Sequence, residues 1–306
     1  MAGLFVLSAA RCGASTFVED FSTDPLRNGW QIFGDTNLFQ WNSANLALDV
    51  TWDSSRTNSY LYFPLGKTLT KSNSFCLQFD LTLADAIATG YFELAIGLCN
   101  FADATSPIFS RANGISPNLF EFDYFPGGPD SYGPSIDGTL IDTRSLFFFA
   151  FDATQPMTGG VTCRILLIHQ AGASTVSGVV TTNGRVFTAL HNIYAGGADE
   201  FQLDTLSINN YTSLDDSYGD SLLAHGTVDH LAFASPLPVE TIKTIAAGQV
   251  EFASDTRWLY TLDQSADLQN WSPAAAAVFG NGTNLVLQAT NPPLAKSFYR
   301  VRAELP

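Results

Sequence analysis

Basic residues are scarce in this chain: Lys and Arg together number 14, against 29 Asp and Glu in 306 residues. The formal charge of −15 argues against a nucleic-acid partner, because a polyanion would be repelled. Acidity of this size serves solubility, and it also suits calcium-containing extracellular surroundings or neutral ligands. Long apolar runs are missing as well. The cluster "SLFFFAF" (145–151) is too short to span a bilayer and reads as a buried strand. Cysteine is sparse, and its spacing contains no CxxC motif of the kind that binds metal or exchanges disulfides. Cys76 and Cys99 fall on predicted strands, where they either pair or sit as core thiols, so the fold does not depend on a disulfide framework. No segment keeps an amphipathic helical period over three turns.

What is present is strand. Hydrophobic residues make up 46% of the chain and Phe alone occurs 24 times, enough for a sizeable core built from sheet-forming side chains. "FCLQFDLTL" (75–83) sets Phe75, Leu77, Phe79, Leu81 and Leu83 against Cys76, Gln78, Asp80 and Thr82, the period-two pattern of a half-buried strand. "YFELAIGL", "LFEFDYF", "CRILLIHQ" and "FQLDTLSI" behave in the same way. Asn183-Gly184 between apolar flanks predicts a tight hairpin, because both turn residues need positive φ. The expected fold class is all-β: an antiparallel jelly-roll sandwich over 16–236, then a small β-sandwich over 237–306. The boundary falls at "ASPLPVET" (234–241), where two prolines interrupt the pattern. Residues 1–15 read as a truncated signal-peptide-like segment. Leu4 to Ala10 form a short apolar stretch without a basic start, and Arg11 before Cys12 spoils a lipoprotein site. Secretion or a cell-surface location is therefore expected.

"EDFSTDPLRNGWQIFGD" and "LALDVTWDSSRTNSYLYFPLG" resemble the first strands of concanavalin A-like lectin/glucanase jelly rolls in secreted bacterial proteins, and "SLLAHGTVDHLAFASP" resembles their closing strand. The tail "YTLDQSADLQNWSP…SFYRVRAE" is similar to the fibronectin-III-like module of secreted proteins from Verrucomicrobia and their relatives. The resemblance implies architecture rather than activity, since such folds host lectins, hydrolases, lyases and adhesins.

Glu121 and Asp123, two apart in "LFEFDYF", share one face of a strand, so two carboxylates repel each other there. Three readings are open. Retaining glucanases of glycoside hydrolase family sixteen carry a Glu-x-Asp-x-(x)-Glu strand, and retention needs carboxyl groups about 5–5.5 Å apart. Glu121 and Asp123 would fill its first positions, but Phe125 and Pro126 stand where the third acid belongs; Glu93 and Asp85 are the candidate substitutes. Resemblance to the legume-type lectins implies a metal site instead. Glu121 would ligate a transition metal, Asp123 would bridge it to Ca2+, the Phe125 carbonyl would face calcium, and Asp130 would be the second bridging carboxylate. Gly127 and Ser135 replace an Asn and a His of that pattern, which leaves at best a weakened calcium site. In the third reading the pair faces solvent on the concave sheet with no ion. A lyase would need a proton-abstracting set, for which His169 is the strand histidine available, but the Gln-x-His and Tyr-x-Lys-x-Gly patterns are absent.

"LADAIATG" (83–90) resembles the lectins' Ala-Asp-Gly sugar loop, which implies that Asp85 accepts hydrogen bonds from sugar hydroxyls. Trp52, beside Asp53, and Tyr60 are the aromatic candidates for stacking on a sugar ring. Tyr124 points away from Asp123 into the core, and Trp258 and Trp271 read as structural. The function expected is a secreted, lectin-like protein holding polysaccharide or glycoconjugate, with calcium assistance. The alternatives are a polysaccharide-active hydrolase or lyase using Glu121 and Asp123, or a structural, adhesive surface protein.

Overall fold

A computed structural model describes residues 17–128, 133–145, 156–183, 185–193, 200–216, 219–235, 243–246, 248–254, 259–267, 270–281, 283–290 and 297–304. The chain divides into two compact units, the larger spanning Ser15–Pro236 and the smaller containing Leu237–Pro306. Strands β1 (Phe17–Glu19), β2 (Gln31–Phe33), β3 (Phe39–Asn42), β4 (Ala47–Asp53), β5 (Ser59–Leu69), β6 (Phe75–Thr89) and β7 (Leu94–Cys99) come first. A single helical turn, α1 (Phe101–Ala104), precedes β8 (Leu119–Phe125) and β9 (Ser135–Ile141). The larger unit ends with β10 (Thr162–His169), β11 (Thr175–Thr182), β12 (Arg185–Ile193), β13 (Leu203–Asn210) and β14 (Ser221–Ala234).

These form two sheets. One runs β12-β11-β10-β6-β14-β4-β3, with β1 also pairing β14; the other runs β2-β5-β13-β7-β8-β9. Among the described residues every strand pairing within these sheets is antiparallel, and long crossings such as β5 to β13 give the jelly-roll sandwich that the strand pattern predicts. The inner faces meet through large rings. Phe75 packs edge-on against Phe120 at 4.9 Å, and Phe79 against Phe122 at 5.9 Å. Phe120, Phe122 and Tyr124 therefore face the core, and alternation sends Glu121 and Asp123 to the far side of their sheet. At the predicted hairpin, Asn183 has φ 51° and Thr182 pairs with Arg185; Gly184 lies outside the described residues.

The strand β6 departs from simple alternation. Its odd residues face the core from Phe75 to Leu83, but the register with β14 slips between Leu83 and Asp85. Ala84 is the extra residue of a β-bulge, and beyond it the odd residues Asp85 and Ile87 are exposed.

Cys76 is disulfide-bonded, while Cys99 and Cys163 are buried free thiols, so Cys76 and Cys99 do not pair. The smaller unit has two antiparallel sheets around Val250, Phe252, Tyr260, Leu262, Ala274, Leu287 and Val301. Its buried Asp263 accepts from Arg300 Nε at 3.0 Å and Arg302 Nε at 3.1 Å. Trp271 lies under the Arg300 guanidinium at 4.5 Å; Trp258 and the segment 145–151 from Leu146 onward lie outside the described residues. No helix among the described residues is long and apolar enough to cross a membrane.

Candidate functional site

The outer face of the six-stranded sheet is roofed by the chain between β7 and β8. Tyr60 donates its hydroxyl to the Ala104 carbonyl at 2.8 Å, Tyr62 stacks on Phe101 at 4.1 Å, and Phe109 packs on Tyr211 at 5.8 Å. Within this roof, Ser110 and Ile115 exchange two backbone hydrogen bonds of 2.9 Å and close a tight loop that carries Arg111. Asn118, with φ 60°, anchors the far end by donating to Asp103 at 2.6 Å and accepting from the Gln202 N–H at 2.8 Å.

The loop drives Arg111 into the protein until its side chain is 1% exposed. There its Nε lies 2.9 Å from Glu93 Oε1 and 3.3 Å from Glu121 Oε1, and its Nη2 lies 3.0 Å from Asp123 Oδ2. Glu121 Oε2 accepts from the Tyr211 hydroxyl at 2.8 Å and from Asn209 Nδ2 at 3.0 Å. The Thr139 hydroxyl donates to Asp123. Opposite Glu121 stands Gly97, where a Cβ would come within 2.5 Å of the Glu121 Cα and Cβ, so a side chain there would collide with the strand that carries the acid. Glu93, the substitute acid named above, thus joins Glu121 and Asp123, but around a guanidinium.

Three carboxylates around one cation cannot all ionise cheaply out of water. Burial pushes Glu121 up to about 8, with repulsion from Asp123 adding to it. Glu93 is pushed up to about 7 by burial, against the pull of Arg111, and burial raises Asp123 as well. Burial opposes the charge on Arg111, but Glu93, Asp123 and Glu121 together keep it firmly protonated.

This corrects the expectations for the pair. Glu121 and Asp123 are 0% exposed, so neither faces solvent, and neither can reach a glycosidic bond. A metal ion does not fit the pair either. Glu121 Oε2 and Asp123 Oδ2 are committed to Tyr211, Asn209, Thr139 and Arg111, the Arg111 guanidinium already stands 3.3 Å from Glu121 Oε1, and Phe125 is sealed in the β8–β9 ladder opposite Ser135. Among the described residues no group of three or more His, Cys, Asp or Glu is arranged to hold a metal; Asp130 lies outside them.

The aromatic candidates are corrected too. Trp52 is 1% exposed in the core, because alternation on β4 turns it inward between Thr51 and Asp53. Tyr60 is sealed beneath α1, so neither ring offers a face to a ligand. His169 is buried with its two nitrogens 2.8 and 3.1 Å from the Asn73 and Ala173 carbonyls, a structural tie rather than a base.

Asp85 is different. It lies within β6 rather than in a loop, and the bulge at Ala84 aims it outward. Its Oδ1 is 2.8 Å from His225 Nδ1 on β14, with side chains 57% and 46% exposed. Around this pair are Thr51 beside His225, the cross-strand neighbours Ile87 and Leu223, both exposed, and the Thr89–Ser221 hydroxyl pair at 2.9 Å. Farther along β6 and β14, Arg164 of β10 forks onto Asp80 at 2.7 and 2.8 Å, and His230 lies 3.0 Å from Asp229.

Neither Arg111 nor His225 stands out in the sequence as a site residue. For Arg111 one signal existed: it is the sole basic residue between Lys71 and Arg144, a stretch that holds every acid of the buried cluster.

No family model matches the chain, and no curated protein does. Among solved structures it is similar in shape to the Lotus tetragonolobus seed lectin, with 12% identity and a TM-score of 0.47 over 72% of this chain and 98% of that one. It is also similar to a Bacillus subtilis protein of unknown function with a galectin-like fold (12% identity, TM-score 0.43, 74% and 98% covered). A third is the alginate lyase Aly36B (11% identity, TM-score 0.37, 74% and 96% covered).

Proposed function

We propose that this is a lectin-like protein that binds polysaccharide or glycoconjugate chains without cleaving them, on the open face of its eight-stranded sheet. The observation that carries the reading is the contrast between its two acidic positions. Glu121 and Asp123 are sealed under Arg111, whereas Asp85 and His225 form a hydrogen-bonded pair open to solvent. Sugar rings present hydroxyl donors beside apolar C–H faces. A carboxylate and an imidazole next to Ile87 and Leu223 match both kinds of surface. A secreted or cell-surface location belongs to the same proposal and is supported by the disulfide at Cys76, since such bonds persist in oxidising compartments.

The test is retention on a panel of insoluble and gel-embedded polysaccharides, with released sugars assayed in the same tubes. Retention of the wild type, weakened in Asp85→Ala and His225→Ala with no released product, is the expected result. Released oligosaccharide, or retention unchanged in both variants, would overturn it.

A further inference from the structure

The sealed cluster poses a question of its own: why bury three carboxylates together? Glu93 Oε1, Glu121 Oε1 and Asp123 Oδ1 accept no hydrogen bond among the described residues, so their charge is answered chiefly through space. What answers it is the Arg111 guanidinium, within 3.3 Å of an oxygen on each acid. We propose that Arg111 is a built-in cation that does here the work of a divalent ion, gathering the carboxylates and ordering the loops around them, so that the protein is independent of calcium.

Two loops meet at the cluster, as loops do at a structural metal. The loop 110–115 carries the guanidinium itself. The end of β13 supplies Asn209 and the segment after it Tyr211, both of which donate to Glu121. The two are also tied directly, since Asn113 Nδ2 donates to the Asp215 carbonyl at 3.1 Å and to its carboxylate at 3.3 Å. A guanidinium suits the task because its planar fork offers several N–H vectors at once and, unlike a bound ion, it cannot dissociate. The acids come from β7's approach and from β8, and the cation from the chain between those strands, so the site assembles within one hairpin of the sheet. Positioning of this kind places Arg111 beneath the loops and leaves any ligand to other residues.

The experiment compares thermal unfolding of the wild type, Arg111→Ala and Arg111→Lys, each with calcium, with EDTA, and with millimolar guanidinium chloride. Terbium luminescence sensitised by Tyr211 serves as a second readout. The wild type should melt at the same temperature with calcium or chelator and should show no sensitised terbium emission. Arg111→Ala should melt lower, recover part of the loss with calcium or guanidinium, and bind terbium. If Arg111→Ala does not fold, Arg111→Lys keeps a positive charge in the cavity and should fall between the two. Chelator destabilising the wild type would overturn the proposal. So would Arg111→Ala melting like the wild type, or a loss that neither cation restores, which would reduce Arg111 to packing.

Discussion

The Tyr211 hydroxyl donates to Glu121 across 2.8 Å, with both side chains buried. The bond joins the segment after β13 to the centre of β8 and satisfies an acid that has no access to water. Tyr211→Phe removes the donor and leaves Asn209 to serve Glu121 Oε2 alone. The expected loss is about 0.5–1.5 kcal/mol in urea unfolding, the usual net worth of one hydrogen bond when the acceptor keeps another partner.

Stability should fall as pH rises through neutrality. Glu121 and Glu93 are held up at about 8 and about 7 in the folded state, against an ordinary value of 4.5. Between the ordinary and the raised values the folded chain binds more protons than the unfolded one, so unfolding free energy declines with pH. The contribution is complete below about pH 4.5 and gone above about pH 8. Urea midpoints measured from pH 5 to 9 should show this decline, and Glu93→Gln with Glu121→Gln should flatten it.

Truncating the open pair should leave the fold alone. Asp85 and His225 are both about half exposed, and surface changes of this kind stay within about 0.5 kcal/mol. Glycan retention is where Asp85→Ala and His225→Ala should register, with urea midpoints unchanged as the control.

Deleting Ala84 should be tolerated better than a deletion inside a strand usually is. It removes the extra residue and joins Leu83 directly to Asp85, so plain alternation keeps Leu83 inward, Asp85 outward and Ala86 against the core. The expected outcome is a small change in stability, read by thermal unfolding. A steep loss would show that the bulge itself, rather than alternation on either side of it, holds the strand in place.

The two free thiols should be silent in the folded protein. Cys99 is pushed up to about 12 and Cys163 to about 11 by burial, so neither supplies thiolate near neutral pH. A thiol reagent should label them only in denaturant.

Period-two alternation made much of this legible from sequence. It identified β6 from Phe75 to Leu83, put Glu121 and Asp123 on one face, and turned Tyr124 to the other. Alternation says which residues share a face but not what covers that face. The roof over Glu121 and Asp123 is irregular chain, and Arg111 reaches them through a loop with no periodic signature. The Asp85–His225 pair joins residues far apart in the chain and depends on a bulge that no turn residue announces. Trp52 and Tyr60 misled for a related reason: polar neighbours in sequence suggested a rim, whereas β4 alternation buries one and α1 covers the other.

The slip at Ala84 gives one strand two allegiances. Its first half is bound to the interior and resists change, while its second half has outward positions that can be altered at little cost to folding. A lineage carrying such a strand can revise what the surface recognises while the hydrophobic half keeps the register, and recognition and architecture become separable within fifteen consecutive residues.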